Sequence, residues 1–174
     1  MEELSGYYGY DEQFIKIKDK YLPKAQLVDI ISNQTIAIRF LDEVTSKNVE
    51  NFIKDHIPEN KRIYLVSDHD TTYYSVVKNL KFEKHQLCLI HLVRLIQRRV
   101  RDIIKKKNLT VDEIKELKEH AGRIIGIFLS DTKEEFISKL NKFFKKWESV
   151  PKDLKNYYNK KNCKRYAQIN SPYF

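Results

Sequence analysis

The run Ile63 to Val66 is apolar on both faces and stops at Asp68-His69-Asp70. A strand with no polar face belongs in the middle of a sheet covered by helices. That single requirement organises the rest of the chain. Three runs precede it, Tyr7 to Ile17, Ala25 to Ile31 and Ile36 to Leu41, rich in aromatic and β-branched residues. Lys20, Pro23, Ser32 and Asn33 sit between them, which suits a meander of strands. A helix then carries Val49, Phe52, Ile53 and Ile57 at helical spacing, capped by Thr45 or Ser46 and ended by Pro58 and Asn60. After the apolar strand come a short helix, Thr71 to Leu80, and a fifth short strand, His85 to Leu89.

Everything beyond is helical in pattern. His91 to Lys107 places Leu92, Ile96, Val100 and Ile103 on one face, with Arg94, Arg98, Arg101 and Lys105 as a second stripe. Thr110 to Glu113 is a capping box. Asp131 is expected to cap a further helix bearing Phe136, Leu140 and Phe143, and Pro151 to open a last one through Leu154, Tyr157 and Tyr158. The order is β-β-β-α-β-α-β followed by helices. The fold class is α/β with a mixed five-stranded sheet.

Composition narrows the functions. The chain has 174 residues, a net charge of +9 and a pI near 9.4. The excess of cations points to an anionic partner such as nucleic acid; the plainer alternative is a lysine-rich surface. No apolar run approaches the roughly 20 residues of a membrane span, and MEELSGYYGY has no secretory pattern, so a cytoplasmic, nucleoid-associated location is expected. Its two cysteines, Cys88 and Cys163, imply no disulfide framework. Its four glycines build neither a phosphate-binding loop nor a dinucleotide turn.

The chemistry gathers at strand ends. Asp68 closes the apolar strand and Asp11 interrupts an aromatic one. Two carboxylates on neighbouring strands repel unless a cation lies between them, and Mg²⁺ suits carboxylates and phosphate oxygens together. Two such metals can clamp the attacking and leaving oxygens of a phosphodiester. Pattern alone weighs this reading and a purely structural one evenly. Asp70 reads as a helix cap, Asp29 as an edge charge, and Glu12 points to the face opposite Asp11. Cys88 and His91 form a Cys-x-x-His pair. With His85 near and Cys163 distant, a complete zinc site is not evident, and Cys88 reads equally as a small buried residue.

Together GYDEQFIKI, LVSDHDTTYYSVV and HQLCLIHLVRLI resemble the DDE transposases of insertion elements, in particular the group with a Cys-x-x-His signature that includes Mutator-like elements. The first half of the chain carries the likeness. It implies an RNase H-like fold with an all-helical insertion: a catalytic core over residues 1–107 and the insertion over 108–174. It implies DNA strand cleavage and transfer with Mg²⁺ or Mn²⁺, Asp11 and Asp68 as catalytic metal ligands, and Cys88 and His91 as the signature pair. Transposon ends and target DNA would be the partners, with homo-oligomers possible. Arg94, Arg98, Arg101 and Lys105 would contact phosphates, or simply form a solvated face.

The likeness departs in two places. His69 stands where the family has glycine. No T-N-x-x-x-E-like run supplies the third carboxylate; Glu113, Glu116, Glu119, Glu134, Glu135 and Glu148 do not match it. The expectation is a truncated or inactive copy, lacking a DNA-recognition domain and the last catalytic helix. A DNA-binding module without chemistry is the alternative. A third is a nuclease that recruits one of its helical glutamates.

Overall fold

A computed structural model describes residues 3–68, 70–150 and 152–155. The chain forms two compact units, Met1–Cys88 and Leu89–Phe174.

The first unit is the mixed sheet with helices of an RNase H-like fold. Strands β1 (Tyr7–Ile17), β2 (Lys20–Asp29) and β3 (Gln34–Phe40) form an antiparallel meander. Helix α1 (Ser46–Lys54) follows, then β4 (Tyr64–Ser67), α2 (Thr72–Asn79) and β5 (Lys84–Leu87). The strand order is β3-β2-β1-β4-β5, with β4 parallel to both β1 and β5. The doubly apolar strand therefore lies inside the sheet, as its composition requires. One face, with Tyr8, Tyr10, Ala25, Leu27 and Leu65, packs on Val49, Phe52 and Ile53 of α1 and Tyr73 and Val76 of α2. The side chains of Tyr7, Asp11, Ile38 and Phe40 lie on the other face and are exposed.

Three local devices hold this sheet in register. Gly6 takes a left-handed φ of 91°, and a Cβ there would meet Ile63 Cδ1 at 2.6 Å. Its carbonyl accepts from the Tyr64 N–H at 2.9 Å, which seeds the β1–β4 pairing. Arg62 is buried, and its guanidinium donates to the Ile57 carbonyl (2.7 and 3.1 Å) and to the Leu80 carbonyl (3.3 Å). It ties the ends of α1 and α2 to the start of β4. Asp29 is buried rather than an edge charge, because β2 lies between β1 and β3. Its carboxylate accepts from the Ser5 N–H and hydroxyl and from the N–H groups of Ile31 and Ser32. Burial raises its pKa, but those donors outweigh it and hold the carboxyl below its ordinary value.

Strand β2 begins at Lys20 rather than Ala25, because Lys18 and Asp19 form a tight turn between paired Ile17 and Lys20. Lys18 sits at φ 54°, a region that non-glycine residues seldom occupy and that its side chain does not advertise.

The second unit contains α3 (Leu89–Lys106), α4 (Val111–Phe128), α5 (Lys133–Lys145) and α6 (Lys152–Lys155). Leu92, Ile96, Leu117, Ile124, Ile127 and Phe143 make its core. The Thr110–Glu113 capping box is present. Thr132, not Asp131, caps α5: its hydroxyl accepts from the Glu135 N–H at 3.1 Å. Tyr157, Tyr158 and Cys163 lie outside the described residues, as does His69. Among the described residues no helix is long and apolar enough to cross a membrane.

Candidate metal centre

The parallel pairing of β1 with β4 positions the two aspartates. Tyr7 is level with Tyr64, Tyr8 with Leu65 and Gly9 with Val66. Tyr7 and Tyr64 also touch as rings, with centroids 5.7 Å apart, so these residues share a face. The pairing ends at Gly9 and Val66; continued by two residues, one past the end of β4 at Ser67, that register would set Asp68 beside Asp11 on that same face. Neighbouring parallel strands lie roughly 4.8 Å apart. Two carboxylates so placed suit a single hard cation, and Asp11 is exposed, so water and a phosphate can reach it.

Strand alternation puts Glu12 on the face opposite Asp11, as expected. What the sequence did not disclose is its setting. Tyr73 on α2 donates its hydroxyl to Glu12 at 2.6 Å. Burial raises the Glu12 pKa most; the Tyr73 and Tyr10 hydroxyls lower it, and the charges of Asp11 and Asp68 raise it again, so the net shift is upward. Burial and then the Glu12 carboxylate hold Tyr10 and Tyr73 well above the ordinary phenol range, so both stay protonated donors. Among the described residues Tyr10's own hydroxyl makes no hydrogen bond of good geometry. Glu12 thus adds negative potential behind the aspartate pair without facing it. The available signal was a carboxylate on the Tyr8–Tyr10 side of β1, which needs a donor from a covering helix.

Asp70 accepts from the Thr72 N–H at 2.8 Å and so serves the start of α2, as its reading as a cap requires. His85 shares a hydrogen bond with the Ser67 hydroxyl (2.8 Å) and stands edge-on to Tyr74. The Cys88 N–H donates to the Ser67 carbonyl at 2.7 Å, which extends the β4–β5 ladder by one residue. Cys88 and His91 are each half-buried, at the end of the first unit and the first turn of α3 respectively. Among the described residues no group of three or more His, Cys, Asp or Glu could hold a metal ion. The described residues therefore do not form a three-carboxylate set.

Arg94, Arg98, Arg101 and Lys105 are all exposed along α3, opposite buried Leu92, Ile96 and Val100. Their spacing of four, three and four residues keeps them on one helix face.

No protein-family model matches the chain. The chain is similar to an uncharacterised 48.3 kDa protein of the insertion element ISM1 from Methanobrevibacter smithii, with 27% identity over 158 residues. The match takes in 91% of this chain and 39% of that protein, so the chain spans about two fifths of its relative. Solved structures similar to it include the HTLV-2 integrase catalytic core domain in complex with magnesium (dimeric form; TM-score 0.40, 16% identity, 66% of this chain and 84% of that one). Another is the simian T-cell lymphotropic virus intasome in complex with the PP2A regulatory subunit B56 gamma (TM-score 0.40, 12% identity, 67% and 48%).

Proposed function

We propose that the chain belongs to a machinery of DNA transposition, of the kind that cleaves and transfers DNA strands, and that Asp11 and Asp68 hold a divalent cation, Mg²⁺ or Mn²⁺. The observation that carries this is the parallel β1–β4 register, which ends at Gly9 and Val66 and, continued by two residues, would bring Asp11 level with Asp68. The similarity to an insertion-element protein supports the biological setting. A bound cation would supply charge neutralisation at a phosphodiester. The protein's own part is to place it: Asp11 from within β1, Asp68 from the tip of β4. The α3 stripe would bind phosphates and fix the DNA without reading its sequence. In this proposal residues 1–107 act as catalytic core and 108–174 as helical insertion. The described residues lack a third carboxylate beside the pair, so the chain alone should cut DNA slowly or not at all.

A second reading, a DNA-binding module without chemistry, is favoured by the exposed stripe on α3 together with the incomplete carboxylate set among the described residues. Manganese binding measured with and without DNA separates the two. If the pair is a metal centre, phosphate oxygens complete the cation's shell, so DNA tightens Mn²⁺ binding and Asp11→Asn abolishes the effect. If DNA and Mn²⁺ bind independently of one another, the module reading stands.

A further inference from the structure

The second unit holds a pocket of about 390 Å³ that the carboxylate chemistry does not use. Its apolar surface comes from Ile127 of α4, Phe143 of α5 and Val150. Arg123, Lys139, Lys142 and Lys146 surround it. Two of these cations are already engaged. Arg123 pairs with Glu119 at 3.6 Å, and Lys139 reaches Glu135 at 2.7 Å and the Gly126 carbonyl at 3.0 Å. Lys142 and Lys146, one helical turn apart, meet no carboxylate among the described residues. His120, 3% exposed, also lines the pocket. Its Nε2 lies 3.5 Å from Glu116 Oε1, while its buried Nδ1 has no hydrogen-bond partner among the described residues. A buried ring nitrogen left unsatisfied calls for a partner from outside the fold.

We infer that this pocket binds a nucleoside phosphate, with the base against Phe143, Ile127 and Val150 and the phosphate on Lys142 and Lys146. With the His120 proton on Nε2 towards Glu116, Nδ1 carries a lone pair; it is sealed in the empty pocket, so a ring or exocyclic N–H of a base reaches it only when the lining shifts. The volume suits one nucleotide. The source is either a free nucleotide or an unstacked nucleotide of a DNA strand. The inference does not rest on the aspartate pair.

The test uses the full chain, with Trp147, its single tryptophan, as fluorescent reporter beside Phe143. The probes are adenosine monophosphate, inorganic phosphate and a short single-stranded oligodeoxynucleotide. Gly126 lines the pocket and a Cβ there meets nothing within 4 Å, so Gly126→Leu is the variant chosen to fill it. Saturable adenosine monophosphate binding is expected, abolished in Gly126→Leu and weakened about tenfold in the Lys142→Gln, Lys146→Gln double variant. Inorganic phosphate should bind more weakly still. Oligonucleotide binding that adenosine monophosphate displaces, and that Gly126→Leu weakens, assigns the site to DNA; mononucleotide binding without such competition assigns it to a free nucleotide. No saturable binding of adenosine monophosphate or of the oligonucleotide, or binding that Gly126→Leu leaves unchanged, overturns the inference. Unaltered melting of Gly126→Leu confirms that a missing signal is not a missing fold.

Discussion

The two units place their charged groups by opposite means. In the sheet unit, the proposed site depends on pairing between residues far apart in sequence: Asp11 would meet Asp68 only through the parallel β1–β4 register. In the helical unit, the cations line up locally, at three- and four-residue spacing on α3 and α5. Carboxylates brought together by sheet register make a site that one slipped residue would destroy. Cations arrayed along a helix make a surface that tolerates the removal of any one of them. A divalent ion needs the first kind of placement; a phosphate backbone accepts the second.

Each unit has its own buried core, and this independence can be broken deliberately. Leu65→Ala empties a fully buried position in the sheet and should cost about 2–5 kcal/mol. Trp147 lies in the helical unit, so its fluorescence midpoint in urea should hold while near-ultraviolet tyrosine dichroism disappears earlier. Ile124→Ala should reverse that order. Coincident transitions in both variants would show that the units unfold together and that the comparison is too sharp.

Asp29 tests the register of the sheet unit. Asp29→Asn should cost about 1–3 kcal/mol at neutral pH, as some of its four donors lose a charged acceptor. Because its folded pKa lies below the ordinary 3.8, its stabilisation is complete above 3.8 and is lost as pH falls through the folded value. The difference between wild type and Asp29→Asn should therefore shrink under acid, measured by urea melts from pH 6 to about 2.

The helical unit answers to salt instead. Replacing Arg94, Arg98 and Arg101 with glutamine should reduce the slope of log affinity for duplex DNA against log salt by about 0.9 for each phosphate no longer neutralised. Filter binding at several salt concentrations measures it; an unchanged slope would make the stripe a solvated face. The smallest effect belongs to the α5 cap, where Thr132→Ala should cost about 1 kcal/mol while Asp131→Ala leaves the helix cap intact.

What could be read from the sequence followed the same division. The element order, the span of β1 and the burial of β4 were legible, since aromatic, β-branched and doubly apolar runs state their surroundings. So was the α3 stripe, which needs only a period. Asp29 was misread because its donors come from Ser5 and from the turn after it, partners that only the folded sheet brings within reach. The α5 cap was misplaced by one residue, since Asp131 and Thr132 both cap well and only backbone geometry chooses between them. The candidate aspartates could be named, but not the offset of β4 against β1, which Gly6 helps to set. The Tyr73–Glu12 bond was invisible because the sequence does not show which strand side chain a residue of α2 covers.

The aspartate pair is the central claim, and manganese bound to the purified full chain, followed by electron paramagnetic resonance, tests it most directly. The account predicts a saturable Mn²⁺ site that Mg²⁺ displaces and that disappears in both Asp11→Asn and Asp68→Asn, with each variant keeping its melting transition. Binding that survives either substitution, or no saturable site in the wild type, would contradict it.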